Sequence, residues 1–266
     1  FSAPETKSRN MGIILSGLLT GILASRVVSG LVGNWLGWRA MFVIAAAVMV
    51  VCLAVILCML PDMKRNFSGS YASLMHSVWR IVATQGRIRL YSIRAAFGFG
   101  SMLAIWSCMA FHLAQPPFLA GSDMVGMLGM CGIAGALVAS GLGKYVPRIG
   151  ISRFSLTGAA IQLISWAIAW IWNGSYIGLI VAVILVDIGL QCQQLSNQSG
   201  CIQAMPQAAN RVNTIFMTTY FIGGSVGTFC AGIGWAHFGW AGVCITGIVF
   251  ALISFIISLC ERREEC

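Results

Sequence analysis

Long apolar segments, each about 20 residues in length, follow one another along the chain. At a rise of about 1.5 Å per residue, a helix of this length crosses the hydrocarbon core of a bilayer, which is about 30 Å thick. The pattern therefore predicts an all-α, polytopic transmembrane helical bundle of about eight helices, with spans at residues 11–35, 39–60, 90–115, 122–143, 153–172, 176–195, 212–235 and 238–260.

The breaks between these segments are short, with one exception. Turn-type sequences such as QPP at 115–117 and NGS at 173–175 separate neighbouring spans. The exception is the polar stretch 61–89, which contains an amphipathic stretch around Leu74 to Val82. A break of this length and polarity predicts a connection between two helical bundles.

Composition supports insertion into a membrane. Of the 266 residues, 58% are hydrophobic and 9% are charged, whereas about a quarter of the residues in soluble domains are charged. Ten cysteines include no C-x-x-C pair and lie mostly in apolar segments, so they are interpreted as small apolar side chains. The sequence shows no nucleophile–base arrangement, phosphate-binding glycine loop or metal-spaced Cys/His set, so neither an enzyme nor a cofactor or metal is predicted.

The basic residues indicate topology rather than nucleic-acid binding. The net charge is +9, but the lysines and arginines lie between apolar runs and not on one solvated face. When the basic residues are assigned to alternate sides of the spans, Arg39 falls on one side, Arg26 lies within a span, and the other 14 fall on the opposite side. Because basic loops stay in the cytoplasm, both termini are predicted to be cytoplasmic in a multi-pass protein of a bacterial inner membrane, surrounded by the lipid bilayer. The cytoplasmic set is Lys7, Arg9, Lys64, Arg65, Arg80, Arg87, Arg89, Arg94, Lys144, Arg148, Arg153, Arg211, Arg262 and Arg263.

Segment 12–39 combines a row of small residues with a charge. A spacing of three to four residues places most of the row on one helix face, where another helix can approach closely. The guanidinium of Arg26 is costly at membrane depth unless it faces a bundle interior or a watery cavity. Two interpretations of Arg26 stay open: a functional site, or a side chain that snorkels to the interface or makes a static structural bond. The small residues are Gly17, Gly21, Ser25, Ser29 and Gly30.

Asp187 is the acidic residue that the pattern places deep within a span. A carboxylate there costs several kcal/mol unless it is protonated, paired or hydrated, which suits a proton carrier. Polar side chains on the same segment and on the next span either line a hydrophilic passage or bind the adjacent helix, and both interpretations stay open. These side chains are Gln191, Gln194, Asn197, Asn213 and Tyr220.

Span 90–115 carries several aromatic side chains, among them Phe97 and Trp106. An aromatic face beside a cavity would bind an amphipathic or cationic small molecule through stacking and cation–π contacts. The alternative is that these rings fill the core or face lipid.

Two segments follow a known motif pattern. Residues 21–30, GILASRVVSG, are similar to G-x-x-x-G-P-x-x-G-G, with Ser25-Arg26 where the pattern has Gly-Pro. Residues 141–153, GLGKYVPRIGISR, are similar to the basic loop G-x-x-x-D-R-x-G-R-R, in which Arg148 and Gly150 are kept. Both patterns belong to the major facilitator superfamily, which the chain therefore resembles.

Two further segments extend this resemblance. Residues 187–198, DIGLQCQQLSNQ, and residues 211–227, RVNTIFMTTYFIGGSVG, look like helices 10 and 11 of a subgroup of uncharacterised efflux permeases. Within the superfamily, the chain resembles the bacterial drug-efflux-type branch. The resemblance covers nearly the whole chain.

The resemblance implies a fold of twelve helices in two six-helix bundles, joined by a long cytoplasmic loop. The chain would correspond to helices 5 to 12. Residues 1–60 would be the last two helices of the N-terminal bundle, 61–89 the loop, and 90–266 the C-terminal bundle with a short cytoplasmic tail. The implied function is secondary active transport, with proton-coupled efflux of a small molecule.

Three function classes stay open: a secondary transporter, an inactive remnant of a disrupted transporter gene, and a membrane sensor or anchor. Alternating access in this fold moves one bundle against the other. Because the 266-residue chain would contain only two helices of the N-terminal bundle, it is expected to transport nothing on its own.

Overall fold

The computed structural model describes residues 7–59, 70–121, 124–129, 131 and 146–265. The chain divides into two compact units. The first contains residues 1–68 and 119–133, and the second contains residues 69–118 and 134–266.

Helix α1 (Lys7–Met59) makes up most of the first unit. Its dihedral angles are helical except at Gly37, where φ is 79° and ψ is 164°. A positive φ is favourable only for glycine, so Gly37 permits the break between the predicted spans 11–35 and 39–60. Residues 124–129 of this unit are also helical.

The second unit is a bundle of helices. The amphipathic helix α2 precedes the long helix α3, and a single helical turn, α4, precedes α5. A 3₁₀ turn at Pro206–Ala208 separates the last two helices. The bounds are α2 (Tyr71–Thr84), α3 (Gly86–Leu113), α4 (Val146–Ile149), α5 (Ile151–Ile171), α6 (Tyr176–Ala204) and α7 (Ala209–Glu265).

Helix α7 folds back on itself at Gly239, where φ is 58° and ψ is −142°. The two arms, residues 209–238 and 240–265, are closely packed beside the break. A Cβ atom added to Gly234 would lie 2.7 Å from the Gly242 carbonyl oxygen, so only glycine permits this approach. The arms correspond to the predicted spans 212–235 and 238–260.

Small residues also set the contacts between the other helices. Helix α3 packs against α7, and α5 packs against α6. A Cβ on Gly158 of α5 would lie 2.5 Å from the Gly189 carbonyl oxygen of α6. On α7, Gly223 and Gly227 face the backbone of Ala96 and Gly100 on α3. These contacts bring helix backbones close enough for side chains to reach carbonyl groups on a neighbouring helix.

The prediction of an all-α, polytopic bundle is confirmed. Among the described residues, five helices are long and apolar enough to cross a membrane. Two of them contain a glycine break: Pro206–Glu261 covers both predicted spans on either side of Gly239, and Val27–Met59 covers the span after Gly37 and the end of the one before it. The predicted span 122–143 lies largely outside the described residues. The five are Val27–Met59, Gly86–Leu113, Ile151–Ile171, Tyr176–Ala204 and Pro206–Glu261.

We expect Gly227→Ala to destabilise the bundle, because the new methyl group would meet the Gly100 backbone, which cannot move independently of α3. Overpacking of this kind costs about 1–3 kcal/mol. Gly232→Ala is the matched control, since no atom lies within 4 Å of the Cβ position at Gly232. Thermal unfolding in detergent should show a lower midpoint for Gly227→Ala and an unchanged or slightly higher one for Gly232→Ala. Equal midpoints would contradict the proposed close contact.

Candidate functional site

Asp187 lies in the interior of the second unit, on α6. Asp187 is 9% exposed, and it lies about 17 Å along the helix from Tyr176 at a rise of about 1.5 Å per residue. This depth is close to the middle of a hydrocarbon core about 30 Å thick. The indole Nε1 of Trp106, on α3, donates a hydrogen bond to Asp187 Oδ1 at 3.3 Å.

Asp187 is the first member of a row of polar side chains along α6. At about 100° per residue, positions 187, 191, 194 and 198 share one helix face. We call these four residues the α6 polar row: Asp187, Gln191, Gln194 and Gln198. Because α6 runs toward Ala204, the row leads from mid-depth toward the C-terminal end of the helix.

The first arm of α7 contributes hydrogen-bond partners to the α6 polar row. Tyr220 donates its hydroxyl to Gln194 Oε1 at 3.1 Å. Gln198 Nε2 donates to Asn213 Oδ1 at 2.8 Å. The structure thus brings these polar side chains together across one interface. The two bonds join α6 to α7, as expected if these side chains bind the adjacent helix, and they place four polar side chains at one interface.

Aromatic rings adjoin this polar surface. Phe99 stacks on Tyr220 with ring centroids 4.0 Å apart and planes 12° apart. Phe99 and Trp106 are seven residues apart and therefore share a face of α3. Phe97 lies on the other side of the helix and packs against Phe250, with centroids 5.4 Å apart. The structure therefore places Phe99 against Tyr220, Trp106 against Asp187, and Phe97 against the second arm of α7.

We call Asp187, Trp106, Gln194, Tyr220 and Phe99 the Asp187 cluster. It combines one ionisable carboxyl group with neutral hydrogen-bonding groups and aromatic faces. A carboxylate at this depth can exchange a proton, while hydroxyl and amide groups can exchange hydrogen-bond partners without changing charge. Such a set can hold a polar, partly apolar small molecule.

A second buried polar network surrounds Arg94 on α3. Arg94 is 0% exposed and forms a salt bridge with Glu261 at the end of α7. Its Nε donates to Asn197 Oδ1 at 2.7 Å, and the Asn197 amide donates to Ser155 Oγ at 3.1 Å. Within the described ranges, the Arg94 Nη2 atom has no hydrogen-bond partner. The network links α3, α5, α6 and α7 around the buried guanidinium of Arg94.

An amide chain continues from this network toward the centre of the bundle. Gln193 Nε2 donates to Gln162 Oε1 at 2.8 Å, and Gln162 Nε2 donates to the Gly98 carbonyl at 3.1 Å. Ser254 Oγ donates to Gln193 Oε1 at 2.5 Å. Because each amide both donates and accepts, buried polar atoms on four helices are satisfied at once.

Two sequence predictions need correction here. The charge count places Arg94 with the loop cations, but this residue is fully buried within α3. The sequence also predicts Asp187 and Arg26 as the intramembrane acid and base, yet the described interior holds the Arg94–Glu261 pair as well. The signal is present in the sequence, since Arg94 lies inside the apolar span 90–115 and Glu261 directly follows the span 238–260. A charge count treats both as span ends.

Asn197 is predicted to lie with the residues near Asp187, but it points into the Arg94 network. Position 197 lies about 80° around the helix from 187, so the two side chains face different neighbours. The helical period separates the two positions, but the sequence does not show which neighbours each side chain faces.

The remaining predicted residues belong to the small-residue motif of α1 and to the basic loop before α5. Within the described part of the chain, no atom lies within 4 Å of a Cβ built on Gly21, while Gly30 is buried. Gly150 precedes α5 with φ 92° and is exposed. The side chains of Arg26 and Arg148 lie outside the described residues. The small-residue motif of α1 therefore stays a prediction.

Several long apolar helices that pack around buried polar side chains identify the described part of the chain as a polytopic membrane protein. The model of the Major Facilitator Superfamily matches residues 1–228 of the chain. The chain belongs to this superfamily and is a multi-pass membrane protein, so the predicted family is confirmed.

Several curated proteins are similar to this chain. An uncharacterized transporter of Escherichia coli O157:H7, YgaY, is 34% identical over 257 residues, which are 96% of this chain and 65% of the relative. A "Probable transporter" of Streptomyces coelicolor is 27% identical over 241 residues, covering 90% of this chain and 56% of the relative. A "Probable sugar efflux transporter" of Haemophilus influenzae is 23% identical over 262 residues, covering 96% and 63%. The chain thus spans less than two thirds of the length of these relatives.

We expect Glu261→Leu to be strongly destabilising, because it leaves the buried guanidinium of Arg94 without its carboxylate. Removing one partner of a buried pair costs about 3–5 kcal/mol, whereas replacing both by apolar residues is often close to neutral. The double variant Arg94→Met/Glu261→Leu should therefore recover much of the loss. Unfolding of the purified protein in detergent with increasing denaturant measures both effects.

Arg153→Met is the matched control for this cycle, since Arg153 is an exposed arginine at the start of α5. Its stability should equal that of the unmodified chain. If the losses of stability measured for the single variants Arg94→Met and Glu261→Leu simply add in the double variant, the two side chains do not stabilise each other.

Proposed function

We propose that this chain forms part of a proton-coupled secondary transporter that exports a small molecule, with Asp187 as the proton carrier. The observation that supports the proposal is the position of Asp187: it lies at mid-depth, is 9% exposed and accepts a hydrogen bond from Trp106. An acidic group in this environment is costly when charged and inexpensive when neutral. A change in its charge therefore biases the equilibrium between two arrangements of the surrounding helices.

The α6 polar row is the proposed route for protons between Asp187 and one side of the membrane. From residue 187 to residue 198 the row covers about 17 Å at the helical rise, roughly half of the hydrocarbon core. Gln194 and Gln198 each bond to a side chain on α7. Because amides and hydroxyls accept and donate, water entering the row would find partners at each turn.

The Asp187 cluster is the proposed contribution of this bundle to the substrate site. Phe99, Trp106 and Tyr220 offer aromatic surface, and Gln194 offers an amide. This combination suits a small molecule with both an apolar face and hydroxyl or amino groups. A sugar is one such substrate, and the relative from Haemophilus influenzae is named as a probable sugar efflux transporter.

We further propose a location in a bacterial inner membrane with both chain termini in the cytoplasm, from the distribution of basic residues. With this orientation the α6 polar row leads from Asp187 toward the cytoplasm. Arg26 stays a candidate for the other intramembrane charge of the transport path.

Asp187→Asn should abolish proton-driven transport while preserving substrate binding, because asparagine keeps the size and hydrogen bonding but does not titrate. The measurement is substrate accumulation in inverted vesicles with an imposed proton gradient. It uses this chain joined to the N-terminal helices of a full-length relative from the same superfamily. We expect the variant to give the uptake of empty vesicles, and Asp187→Glu to retain coupling.

A purely structural role for Asp187 predicts the opposite pattern. Asp187→Leu would then express poorly, and Asp187→Asn would transport nearly normally. Normal proton-driven transport by Asp187→Asn would remove Asp187 from the mechanism.

The 266-residue chain alone offers an independent measurement. Difference infrared spectra recorded during acidification should contain a protonated-carboxyl band that Asp187→Asn removes. Asp187→Glu is the matched control, because it keeps a carboxyl group at this position and should keep a protonated-carboxyl band.

A further inference from the structure

Helix α2 has two chemically distinct faces. One face is apolar, and Ile81 on this face is buried at 5% exposure. The opposite face carries hydroxyl, imidazole and guanidinium groups. At about 100° per residue, these polar positions fall within one third of the helix circumference. They are Ser73, His76, Ser77 and Arg80.

The bundle holds α2 in a fixed position. Helix α2 packs against both α3 and α7. Arg89 on α3 donates from Nη1 to the carbonyl oxygens of Val82 at 2.9 Å and Ala83 at 2.7 Å. A cation at the C-terminal end of a helix satisfies unpaired carbonyls and the negative end of the helix dipole. Both faces of α2 therefore have a defined orientation relative to the rest of the second unit.

Part of the apolar face remains exposed although the helix is held in place. Tyr71 is 75% exposed, Met75 41% and Trp79 70%. The three residues are spaced by four and lie in one stripe along the helix. Tyrosine and tryptophan in such a stripe are typical of a helix that lies at a membrane interface.

A groove of about 360 Å³ lies between α2 and the start of α7. Its lining includes two guanidinium groups, Arg80 from α2 and Arg211 from the first turn of α7. Among the described residues, neither of these two arginines forms an ion pair. The lining also supplies neutral or weakly basic donors, from Ser73, His76, Ser77 and Gln207, and contains no carboxylate among the described residues.

The groove therefore has the chemistry of an anion site. Two guanidinium groups match the oxygens of a phosphodiester, and hydroxyl and amide groups can donate to the same oxygens. Charge alone would also suit free phosphate. The exposed stripe of Tyr71, Met75 and Trp79 distinguishes the two, because it belongs to the same helix and requires an apolar environment.

We propose that α2 lies in the interfacial region of the membrane, and that the groove between α2 and α7 binds the headgroup phosphate of an anionic phospholipid. The apolar stripe contacts the acyl-chain boundary, while Arg80 and Arg211 hold the phosphate. This binding connects α2 to the first turn of α7 through a lipid. The inference is independent of the transport function proposed above.

Native mass spectrometry of the full chain in detergent, titrated with phosphatidylglycerol, tests the proposal. We expect the double variant Arg80→Gln/Arg211→Gln to bind the lipid about thirtyfold more weakly, as follows when two basic residues each lose about 1 kcal/mol of attraction to an anionic lipid. The matched control is Arg87→Gln/Arg153→Gln, which removes the same charge from two exposed arginines outside the groove lining. Its affinity should change by less than about threefold, the spread expected for surface charges.

Two further measurements separate the lipid from other occupants. Trp79→Gln should weaken lipid binding although it leaves both arginines in place, whereas a site for soluble phosphate would be unaffected. Millimolar inorganic phosphate should not displace the lipid. Equal loss in the two double variants, no effect of Trp79→Gln, or displacement by inorganic phosphate would each overturn the proposal. Thermal unfolding of every variant is recorded, and because the three substituted groove and stripe residues are at least partly exposed, their midpoints should match that of the unmodified chain.

Discussion

The buried charge of Arg94 is the constraint on which the second unit depends. A guanidinium removed from water is tolerated only if several partners offset the loss of hydration, and here Glu261 and Asn197 supply them from the last helix and from α6. These partners lie far apart in sequence. The chain must therefore bring the beginning of α3, the end of α6 and the end of α7 to one place, which fixes the order of helices around the core.

Close helix contacts make this arrangement possible. Without a side chain at Gly98, the amide of Gln193 approaches α3, and Gln162 reaches the Gly98 carbonyl. Ser101 in turn donates to the carbonyl of Gly247 on α7. In a bilayer the hydrophobic effect contributes little between helices, so packing and these hydrogen bonds carry much of the association energy. Glycine has two roles here: it allows the neighbouring helix to approach, and it leaves its backbone carbonyl accessible as a hydrogen-bond acceptor.

The fold was largely predictable because span length and apolar character follow directly from bilayer thickness. Gly37 and Gly239 mark breaks that the pattern placed within two residues, since each follows a complete span. The neighbours that each side chain contacts were less predictable from the sequence. Asp187 and Asn197 lie ten residues apart on one apolar segment and about 80° apart around the helix, but only the packing of α3, α5 and α7 shows which neighbours each of them faces. Phe97 and Phe99 differ by two positions and therefore point to different sides of α3, although an aromatic count treats them alike.

The two polar networks differ in whether they can change state. Arg94 stays charged in any arrangement, and its bonds to Glu261 and Asn197 join α3, α6 and α7, so its network favours a single packing. Asp187 can lose its charge, and its donor Trp106 is neutral in both states. The neighbouring Gln194 and Tyr220 can also exchange partners without a charge penalty. Alternating access moves one rigid bundle against the other, and coupling that movement to protons further requires a group whose charge changes during the cycle. Under the proposed function, the Arg94 network would belong to the rigid body and Asp187 would be the group whose charge changes, so the Arg94 network is the less suitable proton carrier although it holds more charge.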